Sequence, residues 1–225
     1  MSFTFDPYKA RLDRASDGSG EAQDVLLTNP TAPQELERYW ASLPKVRGVP
    51  RRRDVDPSKM SDLLSNAFVL ERVAPAVARI RVAGQDLGKL FGAEPRGVPL
   101  TAFFKAADRM AIGKALETAF ATPAIVETAL EGPRAIGQPL LKGHMILLPL
   151  RDDHGRVSRL LGLLMMSGRR GIGSRKLSLM DGTAPTIRRI ESLRSIEGGK
   201  PRGLRAQPNK VAEAAPGLRL VVSND

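Results

Sequence analysis

The amino-acid sequence predicts an α+β fold, in which a five-stranded antiparallel sheet carries helices on one face and follows an amphipathic N-terminal helix. Three observations predict it. Segments of strand and helix character follow in the order strand, strand, helices, strand, strand, strand. Arg79-Ile80-Arg81-Val82 alternates charged and apolar residues with the period of a half-buried strand. Two later apolar runs flank Asp152-Asp153-His154-Gly155, a turn typical of an antiparallel hairpin.

Length and composition limit the chain to one ordinary domain with extensions, or two small ones. Of its 225 residues, 42% are apolar and only 4% aromatic, so aliphatic side chains must supply most of the core. The absence of cysteine excludes disulfides, thiolate metal sites and a cysteine nucleophile. We predict a cytoplasmic protein without a membrane span, because no secretory signal is visible and the apolar runs are shorter than the ~18–20 residues of a membrane helix.

The composition along the chain predicts five parts. They are a disordered N-terminal segment (1–30), N-terminal helices (31–65), a core domain holding the sheet (66–167), a linker with a C-terminal helix (168–196) and a basic, largely disordered tail (197–225). The net charge is +11, and residues 168–225 contribute 12 basic against five acidic side chains. A basic tail of this kind either binds a polyanion or is a solvated extension.

Two helices are predicted before the sheet. The first begins at Ala32-Pro33, since proline is well tolerated in a first helical turn. Its apolar residues recur every three or four positions and form one stripe, Leu36, Tyr39, Trp40 and Leu43. This stripe must be buried on the sheet or on a second protomer, and we predict a homodimer from it. Asp56 and Pro57 then open a second short helix as cap and first residue.

The remaining elements follow in order. Residues 68–92 predict two strands and a short helix closed by Gly92, with Ile80 and Val82 on the inner face of the sheet. An alanine-rich helix is predicted over 106–121, and strands over 124–130, 140–150 and 157–167. Four apolar residues at three-residue spacing predict a last helix over 186–196.

Several stretches together resemble a known family. They are the helix 36–43, the run 50–57, the segment 80–92, Leu148-Pro149-Leu150 before the hairpin turn, and the closing residues 218–225. In order and spacing they are similar to small standalone PAS proteins common in alphaproteobacteria, over roughly residues 33–192 and the last eight. The resemblance implies a PAS sheet used as a sensor or protein-interaction module. It implies no particular ligand and no enzymatic activity.

The residue inventory argues against the familiar PAS cofactors. A flavin adduct or a thioester-linked chromophore needs a cysteine, and there is none. A b-type haem needs an axial histidine, but the long helix has no histidine. His154 lies in the hairpin turn and His144 in a strand, where structural roles are favoured. We therefore predict no cofactor, no metal site and no catalytic residues.

If the domain has a ligand pocket, its lining should come from the central helices and the inner sheet face. The candidates are Phe91, Phe103, Phe104, Met110, Leu116, Ile80, Leu148 and Leu163. The alternative is that these residues form the ordinary core that any domain requires.

Basic residues cluster in two short segments, Arg51, Arg52 and Arg53, and Arg169 and Arg170. Arg47 and Arg51 have the RxxxR spacing used by cyclic-dinucleotide receptors, although the glycine expected downstream is missing. Residues 171–176 lack the pattern of a phosphate-binding loop.

The sequence predicts a non-enzymatic sensor or adaptor in bacterial signalling, acting through contacts with other signalling proteins and binding at most a small apolar ligand. The alternative is a nucleic-acid or cyclic-dinucleotide binding protein that uses these basic segments.

Overall fold

Five long antiparallel strands form the framework of the protein. The computed structural model describes residues 25–26, 29–132, 140–169 and 176–190. The strands of the main sheet are β1 (Val25–Leu26), β4 (Ala67–Ala74), β5 (Val77–Ala83), β6 (Ala124–Gly132), β7 (Leu141–Arg151), β8 (Val157–Arg169), β9 (Ser178–Leu179) and β10 (Thr186–Arg189), while β2 (Lys45–Val46) and β3 (Val49–Pro50) form a separate small hairpin.

The order of the main strands across the sheet is β5-β4-β8-β7-β6, with β10 added beside β6. β4 pairs with both β5 and β8, so the first and last long strands are neighbours at the centre of the sheet. The β7–β8 hairpin turns at 152–156, where Asp152 Oδ1 accepts bonds from the backbone N–H groups of His154 and Arg156 at 3.0 and 2.9 Å. The predicted α+β fold class is confirmed.

In the described part of the chain, the sheet is accompanied by three α-helices, α1 (Ala32–Ser42), α2 (Gln85–Phe91) and α3 (Ala106–Ala121). Among the same residues there are also 3-10 helices at Arg52–Asp54, Pro57–Leu63, Leu100–Phe103 and Met180–Gly182. The predicted end signals hold. Gly92 closes α2 with φ +67°, in the left-handed region that favours glycine, and Asp56 caps the 3-10 helix Pro57–Leu63.

Each face of the sheet has its own apolar core. The inner face, covered by α2 and α3, buries Phe68, Leu70, Ile80, Leu147 and Leu160 among others. The outer face, covered by α1 and the 3-10 helix Pro57–Leu63, buries Val69, Ile146, Leu148, Leu161 and Leu163. The N-terminal helices therefore belong to the same packed structure as the sheet, because their apolar stripes pack on its outer face.

The helix predicted over 186–196 is wrong where the structure describes it. Thr186–Arg189 is β10, which pairs antiparallel with β6 from Thr186↔Glu127 to Arg189↔Ala124. The edge of β6 offers unpaired backbone N–H and C=O groups, and pairing with them outweighs a helical spacing of apolar residues. Residues 191–196 lie outside the described ranges.

Other predictions fall wholly or mainly outside the described ranges, among them the disordered segment 1–30, the basic tail 197–225 and the basic residue Arg170. Arg169 is the last residue of β8. The division of the chain at residues 66 and 167 stays a prediction. Leu36 on one side and Leu177 and Leu179 on the other contribute to the two cores.

Candidate functional site

The inner face of the sheet is the place where a ligand pocket was predicted, and phenylalanine side chains fill it. The rings of Phe91 and Phe103 stack with centroids 3.8 Å apart and planes inclined by 20°. Phe104, Ile80 and Leu116 are each at most 1% exposed. Five of the eight predicted pocket residues therefore meet in one buried cluster, and each of them is part of the core.

Glycine in β8 makes room for one of these rings. A Cβ atom at Gly162 would lie 2.3 Å from the Phe68 ring, far inside van der Waals contact. Phe68 itself is 1% exposed, so its ring has little space to retreat. Phe68 and Gly162 therefore form a matched large–small pair across β4 and β8.

Three residues were wrongly predicted to line a pocket on the inner face. Met110 is 84% exposed, because it lies on the side of α3 that turns away from the sheet. Leu148 and Leu163 are fully buried, but on the outer face with α1. Side chains alternate along a strand, so assigning a strand's faces one residue out of phase moves every candidate to the other side.

An open apolar depression lies on the outer face, and we call it the outer groove. Its volume is about 240 Å³. Its lining includes Met60 of the 3-10 helix Pro57–Leu63 and Leu64, which follows that helix. Val69 and Leu161 come from the sheet, and Val82 lies on the edge strand β5. Leu64 is 39% and Val82 54% exposed, although large apolar side chains are usually buried.

A β-bulge brings Val82 to this groove. Leu70 pairs with Ile80 but Val69 pairs with Val82, so Arg81 is an extra residue in β5. The extra residue reverses the alternation of side chains. The prediction that Ile80 and Val82 share the inner face is therefore correct for Ile80 and wrong for Val82.

The walls of the outer groove are held by short-range contacts. A Cβ at Gly84 would be 2.1 Å from the carbonyl oxygen of Leu64. The backbone at the end of β5 therefore packs directly against the backbone of Leu64 and leaves no room for a side chain at position 84. Gly84 N–H donates to Ala67 O at 2.8 Å. The shape of the groove is therefore fixed by contacts within the chain.

The loop beside the groove is fixed by Asp56. Its backbone N–H donates to the Tyr39 hydroxyl at 2.6 Å, and that hydroxyl donates to its carbonyl oxygen at 3.1 Å. The Asp56 carboxylate accepts bonds from the hydroxyl and backbone N–H of Ser58 at 2.7 and 3.0 Å. These bonds favour the ionised carboxylate and lower the pKa of Asp56.

One cation lies at the mouth of the groove. Arg52 lines it, is only partly exposed, and has no ion-pair partner in the part of the chain that the structure describes. Nearby, Arg151 Nε donates to Val46 O at 2.9 Å, and burial together with the neighbouring charge of Arg47 lowers the pKa of Arg151. The basic residues 51–53 thus lie next to the groove and also next to the two cations Arg47 and Arg151.

The apolar stripe of α1 packs on the chain's own sheet. Leu36 and Trp40 are buried in the outer core, and Tyr39 and Leu43 pack partly against it. The Trp40 indole N–H donates to Pro149 O at 2.9 Å. Because the stripe is covered within one chain, it gives no reason for dimerisation, and the homodimer stays a prediction.

Ion pairs of Arg188 connect β10 both to α1 and to β6. The Arg188 guanidinium donates to the Glu37 carboxylate at 2.7 Å and to the Glu127 carboxylate at 2.5 Å. These bonds raise the pKa of Arg188, and the bond to Glu37 contributes most. His144 Nε2 lies 3.8 Å from Glu127 Oε2, while His154 is exposed in the hairpin turn. Within the described ranges, no cluster of three or more His, Asp or Glu side chains could hold a metal ion.

Comparison with known proteins gives a family. A family model described as "PAS domain" matches residues 28–165, more than half of the chain. No curated protein matches. Among the helices of the described ranges, none combines the length and apolar character that crossing a membrane would need.

Solved light-oxygen-voltage (LOV) structures are distantly similar. A LOV domain studied with a flavin analogue is 18% identical, with 49% of this chain and 83% of that chain covered and a TM-score of 0.38. The dark structure of the Aureochrome1 LOV domain is 17% identical, with 48% and 80% covered and a TM-score of 0.37. An RNA-binding LOV receptor is 17% identical, with 66% and 36% covered and a TM-score of 0.35.

Proposed function

The chain belongs to the PAS-domain family, and from this premise we propose that it is a cytoplasmic, non-enzymatic sensor or adaptor in bacterial signalling that acts through contacts with other proteins. The sequence resemblance to the small standalone PAS proteins of alphaproteobacteria belongs to the same proposal.

The contrast between the two faces supports this function best. The inner face carries buried phenylalanines in contact with one another, so its apolar surface is used for stability. The outer groove keeps apolar side chains accessible beside a cation without an ion-pair partner in the described ranges. Exposed apolar surface next to polar residues is typical of a protein contact site.

No resident cofactor is part of the proposal. The chain has no cysteine for a flavin adduct, and described α3 offers no histidine for a haem. An absorption spectrum and a native mass of the purified protein test this directly. We expect the polypeptide mass and no visible band, whereas a bound chromophore would overturn it.

Site-directed photo-crosslinking in the source cells tests the adaptor function. A photoreactive amino acid at position 82, in the outer groove, should give an adduct with a discrete partner protein identified by mass spectrometry. The matched control is the same amino acid at Met110, which is even more exposed (84% against 54% for Val82) but lies on α3. Equal adducts at both positions, or none at position 82, would contradict the function.

A second candidate function is polyanion binding. It is favoured by Arg51, Arg52 and Arg53, which form no ion pair within the described ranges, and by Arg47 close to Arg151. Binding through phosphate contacts weakens steeply as salt rises. Filter binding of RNA and of a cyclic dinucleotide at about 50 and 200 mM salt measures this. No binding at the lower salt concentration would remove the candidate.

A further inference from the structure

We propose that the outer groove binds an acidic amphipathic segment of a partner protein, whose apolar side chains enter between Leu64 and Val82 while an Asp or Glu pairs with Arg52. This proposal deepens the proposed adaptor function and depends on it. It specifies the chemistry of the partner, which the family does not.

The exposed apolar residues locate the contact. Six large apolar side chains are exposed in the described ranges, and two of them, Leu64 and Val82, line this one groove. Leu64 follows the 3-10 helix Pro57–Leu63 and Val82 belongs to β5, and Val69 and Leu161 of the sheet line the same groove. A partner that fills the groove would remove both from water, which is the main source of contact energy.

The size of the groove favours side chains over a bound small molecule. Its volume of about 240 Å³ is below the range of roughly 300–1,000 Å³ that holds drug-sized ligands. It suits one or two aliphatic anchors from a segment that otherwise stays on the surface. An amphipathic helix presents such anchors at three- and four-residue spacing.

The charge at the mouth favours an acidic segment. Arg52 is partly buried, so part of its hydration is already lost, and no described carboxylate compensates it. The nearby Asp56 carboxylate is already occupied by Ser58. Arg51 and Arg53 flank Arg52 in the sequence and add to the positive potential. A partly buried guanidinium without a carboxylate beside it is stabilised most by binding one, because the two groups form two parallel hydrogen bonds.

The groove is also pre-shaped. Gly84 holds the end of β5 against Leu64, and the Tyr39–Asp56 bonds fix the loop that carries Arg52 to α1. A site whose walls are already ordered loses less entropy on binding. The partner's own segment would therefore carry most of the ordering cost.

Selection from a random 12-residue peptide library displayed on phage, against the full-length protein, tests the proposal. We expect enriched peptides with apolar residues three or four positions apart next to Asp or Glu. Their affinities, measured by fluorescence polarisation, should fall roughly tenfold with Arg52→Glu, and at least tenfold with Val82→Glu. Changing the acidic residue of the peptide to Lys should restore binding to the Arg52→Glu protein.

Matched variants on α3 provide the controls. Lys114→Glu reverses a charge and Met110→Glu introduces a carboxylate, both on exposed positions away from the groove. Neither should change peptide affinity. Leu64→Glu repeats the Val82→Glu test at the other exposed apolar residue of the groove, and thermal denaturation of each variant checks that it is folded.

Four outcomes would overturn the proposal. They are the absence of groove-dependent peptides, enriched peptides without acidic residues, a homodimer that Val82→Glu converts to a monomer, and a rise in peptide affinity when residues 197–225 are deleted. The third would make a second copy of the chain the occupant, and the fourth would make it the chain's own tail. A specific crosslink at position 82 together with non-acidic peptides would leave the adaptor function standing and remove only the acidic partner.

Discussion

Both faces of the sheet carry an apolar core, but the inner face is closed and the outer face keeps an open groove. On the inner face, phenylalanines from α2, the 3-10 helix Leu100–Phe103 and β4 close the space between helices and sheet. On the outer face, α1 and the 3-10 helix Pro57–Leu63 cover most of the surface but leave the outer groove open. The open side is also where Arg52 lies.

The inner face is filled by side chains from helices and sheet, whereas the outer face keeps an open apolar groove. Full burial of apolar side chains gives stability but leaves nothing for a partner to contact. A groove between separate elements keeps apolar atoms accessible at a modest cost, because its walls are supported by hydrogen bonds and by a close backbone approach at Gly84. The predictions below test this division between the faces.

Truncation on the inner face should have the largest effect. Phe91→Ala removes a ring that stacks on Phe103 and is 1% exposed, so we expect the free energy of unfolding to fall by about 3–5 kcal/mol. Urea denaturation measures it. Met110→Ala on the exposed side of α3 is the control and should change stability by no more than about 0.5 kcal/mol. A loss for Phe91→Ala near that of the control would mean that the inner face is loosely packed.

Overpacking of the same face should cost less. Gly162→Ala places a methyl group against the Phe68 ring and should destabilise the protein by about 1–3 kcal/mol. In a Phe68→Ala background the same change should cost much less, because the obstructing ring is gone. A double-mutant cycle by denaturation measures this coupling, and additive effects would refute the large–small pair.

On the outer face, Trp40→Phe should have an effect of about 1–3 kcal/mol. It removes the indole N–H and leaves the carbonyl of Pro149 without that donor in a buried position. Equilibrium denaturation measures the change. Tyr39→Phe removes the more exposed bonds to Asp56 and should cost less. If Tyr39→Phe is the more damaging variant, α1 is held by the loop rather than by the sheet.

The smallest expected effect is a pH dependence from Asp56. Bonds from the Ser58 hydroxyl and then its backbone N–H lower the pKa of Asp56 in the folded protein. A lowered folded pKa stabilises the protein above the ordinary value of about 3.9, and this contribution disappears as the pH falls through the folded pKa. The stability difference between the wild type and Asp56→Asn should therefore shrink below about pH 4. Denaturation midpoints at several pH values measure it, and a difference independent of pH would contradict the assignment.

Elements were largely predictable because their signals are local. The bounds of α3, the start of α1, the Asp56 cap and the Gly92 ending each depend on a few neighbouring residues. The helix predicted over 186–196 was wrong at 186–189, since the exposed edge of β6, about 60 residues earlier in the chain, supplied backbone partners that no local pattern reveals.

The candidate site was predicted only in part, for the same reason. Arg52 was among the predicted basic residues, but nothing in the sequence places it beside Val82. The outer groove brings together residues from 52 to 161, and the bulge at Arg81 that turns Val82 outward is defined only by its pairing with β4. Leu148 and Leu163 were assigned to the wrong face because a strand buried on both sides lacks the alternation that marks one face.

Periodicity and end signals act over a few residues, so the amino-acid sequence was enough to predict most of the elements, their order and the α+β class, but not the strand β10. Tertiary contacts settled the face on which Val82, Leu148 and Leu163 lie, the filling of the inner face by phenylalanines, and the apolar groove lined by an arginine on the outer face. These depend on strand register and on contacts between distant segments, where one extra residue in a strand reverses the outcome.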